Sequence, residues 1–332
     1  MIVYIKDDLF ESPAKVLVNT VNIVGVMGKG IALTFKKIYP AMFKQYQKFC
    51  ENRKFQIGSL WLYKTPHKWI LNFPTKKHWQ QPSKPEYIEA GLRKFISTYS
   101  SMGITSIAFP QLGCGNGELD WETIVQPLMN KYLSQLPIDI FIYTYARKTS
   151  TPEHKDIKAM NAWLRGEPRM LAFEEMWLDL SKIIGDGIDL TMWGVESDFH
   201  VMLGNGPSSG LYIQKAPGNI LQHLRCLIRK IATKLRILDE ENVFIPEEAI
   251  LDMWQTVRDY GFCVPRIMPE GLDILAPCVL PIFSQLDYMK KVTLTRMTGS
   301  GTFTQEVGLQ LFPLKANGST RPNYSIYTVQ PA

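Results

Sequence analysis

Over residues 1 to 143 the chain alternates short β-rich runs with longer runs whose apolar residues recur at helical spacing, and this alternation restricts the fold more than any other feature. Ile2 to Ile5, Val16 to Val21, Leu60 to Tyr63, Trp69 to Phe73, Ser106 to Phe109 and Ile138 to Tyr143 read as strands. Ile31 to Cys50, Pro85 to Tyr99 and Trp121 to Leu133 read as helices, the second with proline in its first turn. Strands that alternate with helices assemble into a mostly parallel or mixed sheet covered on both faces, so an α/β fold is expected here.

The full chain has 332 residues, more than one hydrophobic core usually covers, so two domains are expected. The polar stretch Arg147 to Lys158 follows the last buried strand and predicts a boundary: a first domain over 1–148, a linker over 149–158 and a separate α+β domain over 159–332. In that second domain Phe173 to Ile184, Ile220 to Leu238 and Glu247 to Tyr260 predict helices, followed by strands at Val292 to Arg296, Val307 to Phe312 and Tyr324 to Val329. Ile220 to Leu238 places Leu221, Leu224, Ile228, Ile231 and Leu235 on one stripe with a basic face elsewhere; core packing is the plainer expectation, a partner or nucleic-acid contact the sharper one. Gly204 to Gly210 and Thr298 to Gly301 read as turns.

Chemistry concentrates in two glycine-rich loops. Gly25-Val-Met-Gly-Lys-Gly-Ile-Ala-Leu33 follows the strand ending at Asn22 and runs straight into a helix, which lets backbone N–H groups approach an anion closely. It is not a P-loop, because Gly30 rather than Ser or Thr follows Lys29, and not a dinucleotide fingerprint, because Leu33 stands at the third glycine position. Pro110-Gln-Leu-Gly-Cys-Gly-Asn-Gly117 lies likewise at the carboxyl end of a strand, where open α/β sheets bind ligands. Two such loops can close on one diphosphate. Asp8, at the end of the first strand, is either a turn carboxylate or an acceptor for a base's exocyclic amine.

These segments, with Lys6-Asp-Asp-Leu-Phe10 and Phe73-Pro-Thr-Lys-Lys-His-Trp79, resemble a macrodomain, and within that family the DarG branch of DNA ADP-ribosyl glycohydrolases, antitoxins to DarT toxins. The resemblance covers almost the whole first domain. It implies a mixed sheet between helices with ADP-ribose in a cleft at one end. It also implies roles by position: Asp8 and Leu9 at the adenine, Asn22 at the distal ribose, and Gly28, Lys29, Gly30, Ile31, Thr75, Gly113, Cys114, Gly115, Asn116 and Gly117 around the diphosphate and distal ribose. Lys76 matches the catalytic lysine. Related glycohydrolases carry an assisting aspartate where this chain has Gly117, with Glu118 the nearest acid, so the proton-transfer group stays unassigned.

As a nucleophile toward the anomeric carbon, Lys76 must be neutral. At an unperturbed pKa of about 10.4 only roughly 0.04% is neutral at pH 7, and a depression of about two units raises that to roughly 4%. Lys77 and partial burial against Phe73 or Trp79 are expected to push in that direction; the plainer alternative is a solvated Lys pair. His78 and Trp79, with Lys64, Lys68 and Lys77, suggest an aromatic and basic rim for nucleic acid or simple surface decoration. Cys114 has no histidine near it in sequence and reads as a small loop residue.

Composition excludes several classes. No run of eighteen uncharged apolar residues exists for a membrane helix, and MIVYIKDDLF reads as a strand rather than a secretory signal, so a cytoplasmic location is expected. Five cysteines without a C-x-x-C pair and five histidines without zinc spacing predict reduced thiols, no structural metal and no cofactor. A formal charge of +6 fits a polyanionic partner without requiring one. The functions in view are removal of ADP-ribose from DNA, from thymidine as the resemblance implies; a non-catalytic ADP-ribose reader or toxin-binding module; and hydrolysis of small ADP-ribose metabolites. The partners expected are ADP-ribose, ADP-ribosylated DNA and a DarT-like toxin.

Overall fold

The computed structural model describes residues 1–144, 151–204, 209–214, 236–237, 242–297 and 303–313. The chain divides into two compact units, Met1–Met160 with Leu171–Lys182, and Asn161–Met170 with Ile183–Ala332. A single cut at 149–158 does not reproduce this division, because the chain leaves the first unit after Met160 and returns to it for twelve residues, 171 to 182.

The first unit is built on six strands: β1 (Ile2–Ile5), β2 (Val16–Val21), β3 (Trp61–Lys64), β4 (Trp69–Pro74), β5 (Ser106–Pro110) and β6 (Asp139–Tyr143). Their order is β1-β6-β5-β2-β4-β3, parallel throughout except for the antiparallel edge pair β3 and β4. The expected mixed sheet is therefore present. All five parallel strands end on the same side, so the segments after Ile5, Val21, Pro74, Pro110 and Tyr143 meet along one edge.

Helices α1 (Gly30–Ile38), α2 (Pro40–Glu51), α3 (Pro85–Thr98) and α4 (Gln126–Leu133) connect these strands. The sequence predicts one helix from Ile31 to Cys50; the structure has two, because Pro40 lacks the N–H needed to continue a helix and starts a new one at its first position. The segment before α4 is a wider π-turn, Trp121–Val125, whose N-terminal Asp120 accepts from Thr123 N–H. Val16, Val18, Leu71, Phe73, Ile107 and Phe109 point to one face of the sheet and pack with Ile88, Leu92 and Phe95 of α3 and Met129 and Leu133 of α4. Each such buried side chain contributes about 1.5–3 kcal/mol. Gly91 lets α3 approach: a Cβ there would fall on the ring of Phe73, so the helix accepts a residue costing about 1 kcal/mol in propensity. That contact anchors the strand end from which Lys76 projects.

After β6 come α5 (Ile157–Gly166) and α6 (Phe173–Ile184). The second unit contains a five-stranded antiparallel sheet, β7 (Ile188–Thr191), β8 (Asp198–Gly204), β9 (Gly210–Gln214), β10 (Arg236–Ile237) and β11 (Val243–Pro246), in the order β10-β11-β9-β8-β7. A three-stranded sheet of β12 (Phe262–Cys263), β13 (Met289–Met297) and β14 (Phe303–Leu311) accompanies helices α7 (Glu247–Tyr260) and α8 (Ala276–Phe283). The α+β class is as expected, and the helix at 247–260 and the strands within 289–297 and 303–311 are where the sequence predicts them. The helix predicted over Ile220 to Leu238 cannot reach its expected end, since Arg236 and Ile237 pair as a strand with Phe244 and Val243; its earlier part lies outside the described residues. The strand predicted at Tyr324 to Val329, the Thr298 to Gly301 turn and the middle of the Gly204 to Gly210 turn also lie outside them.

Candidate functional site

The site forms where the ends of β1, β2, β4 and β5 converge. At the end of β2, Asn22 is buried and fully engaged: Nδ2 donates to Val26 O at 2.7 Å, and Oδ1 accepts from Val24 N–H, Val26 N–H and the Tyr46 hydroxyl. It braces the first glycine loop, so any contact with a ribose must share these bonds. Gly25 and Gly30 take positive φ, which the loop's turn into α1 requires. No side chain caps α1 at Lys29, leaving its first N–H groups available to an anion in the manner of helix N-termini. Gly28 is buried, and Lys29, Gly30 and Ile31 lie at the rim.

The second loop arrives from β5. Gly113 has a φ of 71° and its carbonyl accepts from Leu119 N–H; Gly117 O accepts from Ser83 N–H at 3.0 Å. A Cβ on Gly117 would collide with Ser83 Oγ and Gly113 O, whereas one on Gly115 would meet nothing within 4 Å. Gly115 is thus glycine without a positive φ, and its open side faces solvent. The two loops touch: a Cβ on Gly30 would lie 2.9 Å from Asn116 Nδ2. Both glycine loops named in the sequence are therefore brought together.

Beside the first loop, at the end of β4, the neighbour of β2, stand Thr75 and Lys76, both buried. Thr75 N–H extends the ladder to Val21 O. Lys76 Nζ has no hydrogen-bond partner among the described residues and lies 3.8 Å from Glu153 Oε2, with both side chains under a tenth exposed. Burial holds the Lys76 ammonium below its ordinary range, against the opposing pull of Glu153 and then Glu118. Burial pushes the Glu153 carboxyl up, opposed by Lys76, Lys29 and His154. Burial thus pushes both groups toward their neutral forms. The depression of Lys76 comes from burial rather than from Lys77, which is exposed with its ammonium 5.9 Å from the Tyr87 ring.

Glu153 is the residue sequence reasoning missed, because it falls inside the stretch predicted as a linker. That stretch lines the site: Lys29 Nζ donates to Thr151 O at 3.2 Å, Lys76 faces Glu153, and Glu118 pairs with His154 and Lys155. Those two partners hold the Glu118 carboxyl below its usual range. Buried polar atoms normally find partners, yet Lys76 Nζ, Ser83 Oγ and His154 Nδ1, three of the four exceptions among the described side chains, gather here. The signal available in the sequence was Pro152-Glu153, a turn-starting pair.

Asp8 is exposed and one of its oxygens accepts from Phe10 N–H at 3.0 Å as the cap of a short turn, while Leu9 is buried. The expected aromatic and basic rim is placed differently. Trp79 offers no stacking platform: it is fully buried, its Nε1 donating to Glu175 Oε1 at 2.6 Å, and Glu175 comes from α6. His78 Nδ1 accepts from Gln80 N–H, and its Nε2 lies 4.0 Å from the same carboxylate. Lys64 and Lys68 sit in the β3–β4 turn, at the opposite end of β4 from Lys76, so the expected continuous basic rim does not form. The Cys114 thiol donates weakly to Leu112 O and burial pushes its pKa up to about 12, which suits a loop residue and not a nucleophile.

A family model described as Macro domain matches residues 18–128. The DNA ADP-ribosyl glycohydrolase of Mycobacterium tuberculosis (strain ATCC 25618 / H37Rv) is 49% identical over 148 residues, which cover 43% of this chain and 42% of that protein. A DNA ADP-ribosyl transferase-DNA ADP-ribosyl glycohydrolase fusion protein of Thermosipho africanus is 38% identical over 158 residues, 42% of this chain and 40% of the relative. The ADP-ribose glycohydrolase OARD1 of Bos taurus is 30% identical over 144 residues, 43% of this chain and 91% of the relative. The match to the two bacterial proteins thus spans less than half of their length.

Proposed function

The chain belongs to the macrodomain family through its first unit, and from that premise we propose that it is an ADP-ribosyl glycohydrolase that removes ADP-ribose from modified DNA, with Lys76 as the nucleophile. One observation carries this reading: a buried lysine amine, without a hydrogen-bond partner among the described residues, stands at the end of the strand next to the one that feeds the first of two glycine loops that touch. Loop N–H groups and the uncapped start of α1 supply the anion contacts a diphosphate needs, and the free oxygen of Asp8 faces solvent, available to an adenine amine. The substrate class follows the relatives whose names specify DNA.

In the chemical step the Nζ lone pair forms a bond to the anomeric carbon, and the bond from that carbon to the base nitrogen breaks with its electron pair on the nitrogen. The sugar ring then opens as an Nζ proton moves to the ring oxygen, leaving a protonated imine. Water hydrolyses the imine to ADP-ribose and the lysine ammonium. The same reading makes the protein an antitoxin that reverses a DarT-like transferase and acts in the cytoplasm. The relative that joins transferase and glycohydrolase in one chain supports this pairing, and no helix among the described residues is long and apolar enough to cross a membrane.

The test is a substrate panel: ADP-ribosylated oligonucleotide, ADP-ribosylated protein, O-acetyl-ADP-ribose and ADP-ribose 1″-phosphate. Release of ADP-ribose from the oligonucleotide at the highest kcat/KM is the expected result. Consumption of a metabolite alone would replace the DNA assignment, and binding without any turnover would make the protein a reader.

A further inference from the structure

Resting on that glycohydrolase reading, we propose that Glu153 is the acid–base partner of Lys76, taking the ammonium proton to free the nucleophile and giving it up as the base departs. Three features of the first unit carry the proposal. The position that would hold an assisting acid in the second loop is closed, since any side chain at Gly117 would strike Ser83 Oγ and Gly113 O. The adjacent acid is diverted: Glu118 has a φ of 59° and its carboxylate is occupied by His154 and Lys155. Glu153, by contrast, is buried with an oxygen 3.8 Å from Nζ, and it is the acid paired with Lys76 among the described residues.

The protons balance. Transfer from the Lys76 ammonium to the Glu153 carboxylate gives an amine and a carboxylic acid. When Nζ bonds to the anomeric carbon, the departing nitrogen draws a proton from water, and the Glu153 acid neutralises the hydroxide left behind. Imine hydrolysis then regenerates ammonium beside carboxylate, the starting pair. Burial of both groups favours their neutral forms and so narrows the cost of the first transfer. The charged and titratable groups around the pair are Lys29 from the first loop, Glu118 from the second, His154 and Lys155 from the same turn, and Tyr46 from α2.

A role as counter-ion alone makes the opposite forecast. An ionised Glu153 raises the Lys76 pKa, so removing it would free more amine and move the rising limb of activity to lower pH without loss. The experiment uses the full chain and Glu153→Gln, with Glu153→Asp as a second variant that keeps the acid one methylene shorter. The kcat/KM of the wild type on ADP-ribosylated oligonucleotide should be bell-shaped, rising as the pair loses its first proton and falling as it loses the second. Glu153→Gln should lower the plateau by about 10²–10⁴-fold, lose the high-pH limb and retain ADP-ribose affinity; Glu153→Asp should fall between. A plateau within about threefold of wild type, or ADP-ribose affinity lost together with turnover, overturns the acid–base role. The underlying reading is checked separately by treating the wild type with free ADP-ribose and cyanoborohydride and weighing the Lys76 peptide. An adduct is expected, and its absence would overturn the nucleophile and the proposal with it.

Discussion

The two ends of β4 each carry a pair of lysines, and the fold treats them in opposite ways. At the start of the strand, Lys68 Nζ donates to Ser12 O and Ala14 O, both at 2.6 Å, and Lys64 Nζ lies 4.1 Å from the Trp69 ring. At its end, roughly 17–20 Å away for a strand of this length, Lys76 is buried with no hydrogen-bond acceptor among the described residues and Lys77 is exposed. The first pair is satisfied and structural; in the second, one lysine is held away from water and, among the described residues, from any hydrogen-bond partner. What separates Lys68 from Lys76 is which backbone carbonyls are within reach.

The contrast breaks first at Lys76. Lys76→Ala should lower turnover on ADP-ribosylated DNA by about 10³-fold or more, about 4 kcal/mol of barrier, while ADP-ribose binding measured by calorimetry persists. Lys76→Arg should be nearly as inactive, because guanidinium stays protonated; full activity in that variant would remove the nucleophile assignment. Next in size is Gly115→Val at the same end. The Cβ of a valine there meets no atom within 4 Å and the φ is not positive, so melting should be unchanged, yet the side chain enters space assigned to the diphosphate. ADP-ribose affinity should fall on the order of 100-fold, about 2.7 kcal/mol; unchanged affinity would place the diphosphate elsewhere.

At the other end the effect should reverse in kind. Lys68→Met removes a charged donor from two carbonyls and should cost about 1.5–3 kcal/mol, read as a lowered melting temperature with kcat unaltered. A fall in kcat would show that the two ends are coupled. The smallest change belongs to Lys77→Ala. With burial rather than Lys77 depressing Lys76, turnover should hold, and KM for modified DNA should rise about threefold or less, an effect that disappears at high salt.

Much of the first unit was legible because its signals are local. The strands at 2–5 and 16–21 announce themselves through β-branched runs, that at 106–110 through a short apolar run, and the glycine loops through spacing. Pro40 is equally visible in the sequence, and its missing N–H divides α1 from α2. Glu153 and the burial of Trp79 were not legible, since both depend on segments far along the chain folding back, and a polar stretch such as 147–158 gives no sign of what it will cover. In the second unit the five-stranded sheet is not legible because β7, β9 and β11 are short and contain Asp, Gly and Pro respectively, residues depleted in strands.

The return of residues 171–182 to the first unit bears on how this protein can be taken apart. Glu175 meets the indole of Trp79, and Phe173 N–H donates to Glu51 Oε1, so a fragment ending at 148 would leave an indole N–H without its acceptor and a large aromatic face in water. Such a fragment should be less soluble and melt lower than one extended through Lys182, and it would also lack the acid facing Lys76. On the glycohydrolase reading, a domain excised at its apparent sequence boundary should therefore still bind ADP-ribose while turning over more slowly than the full chain.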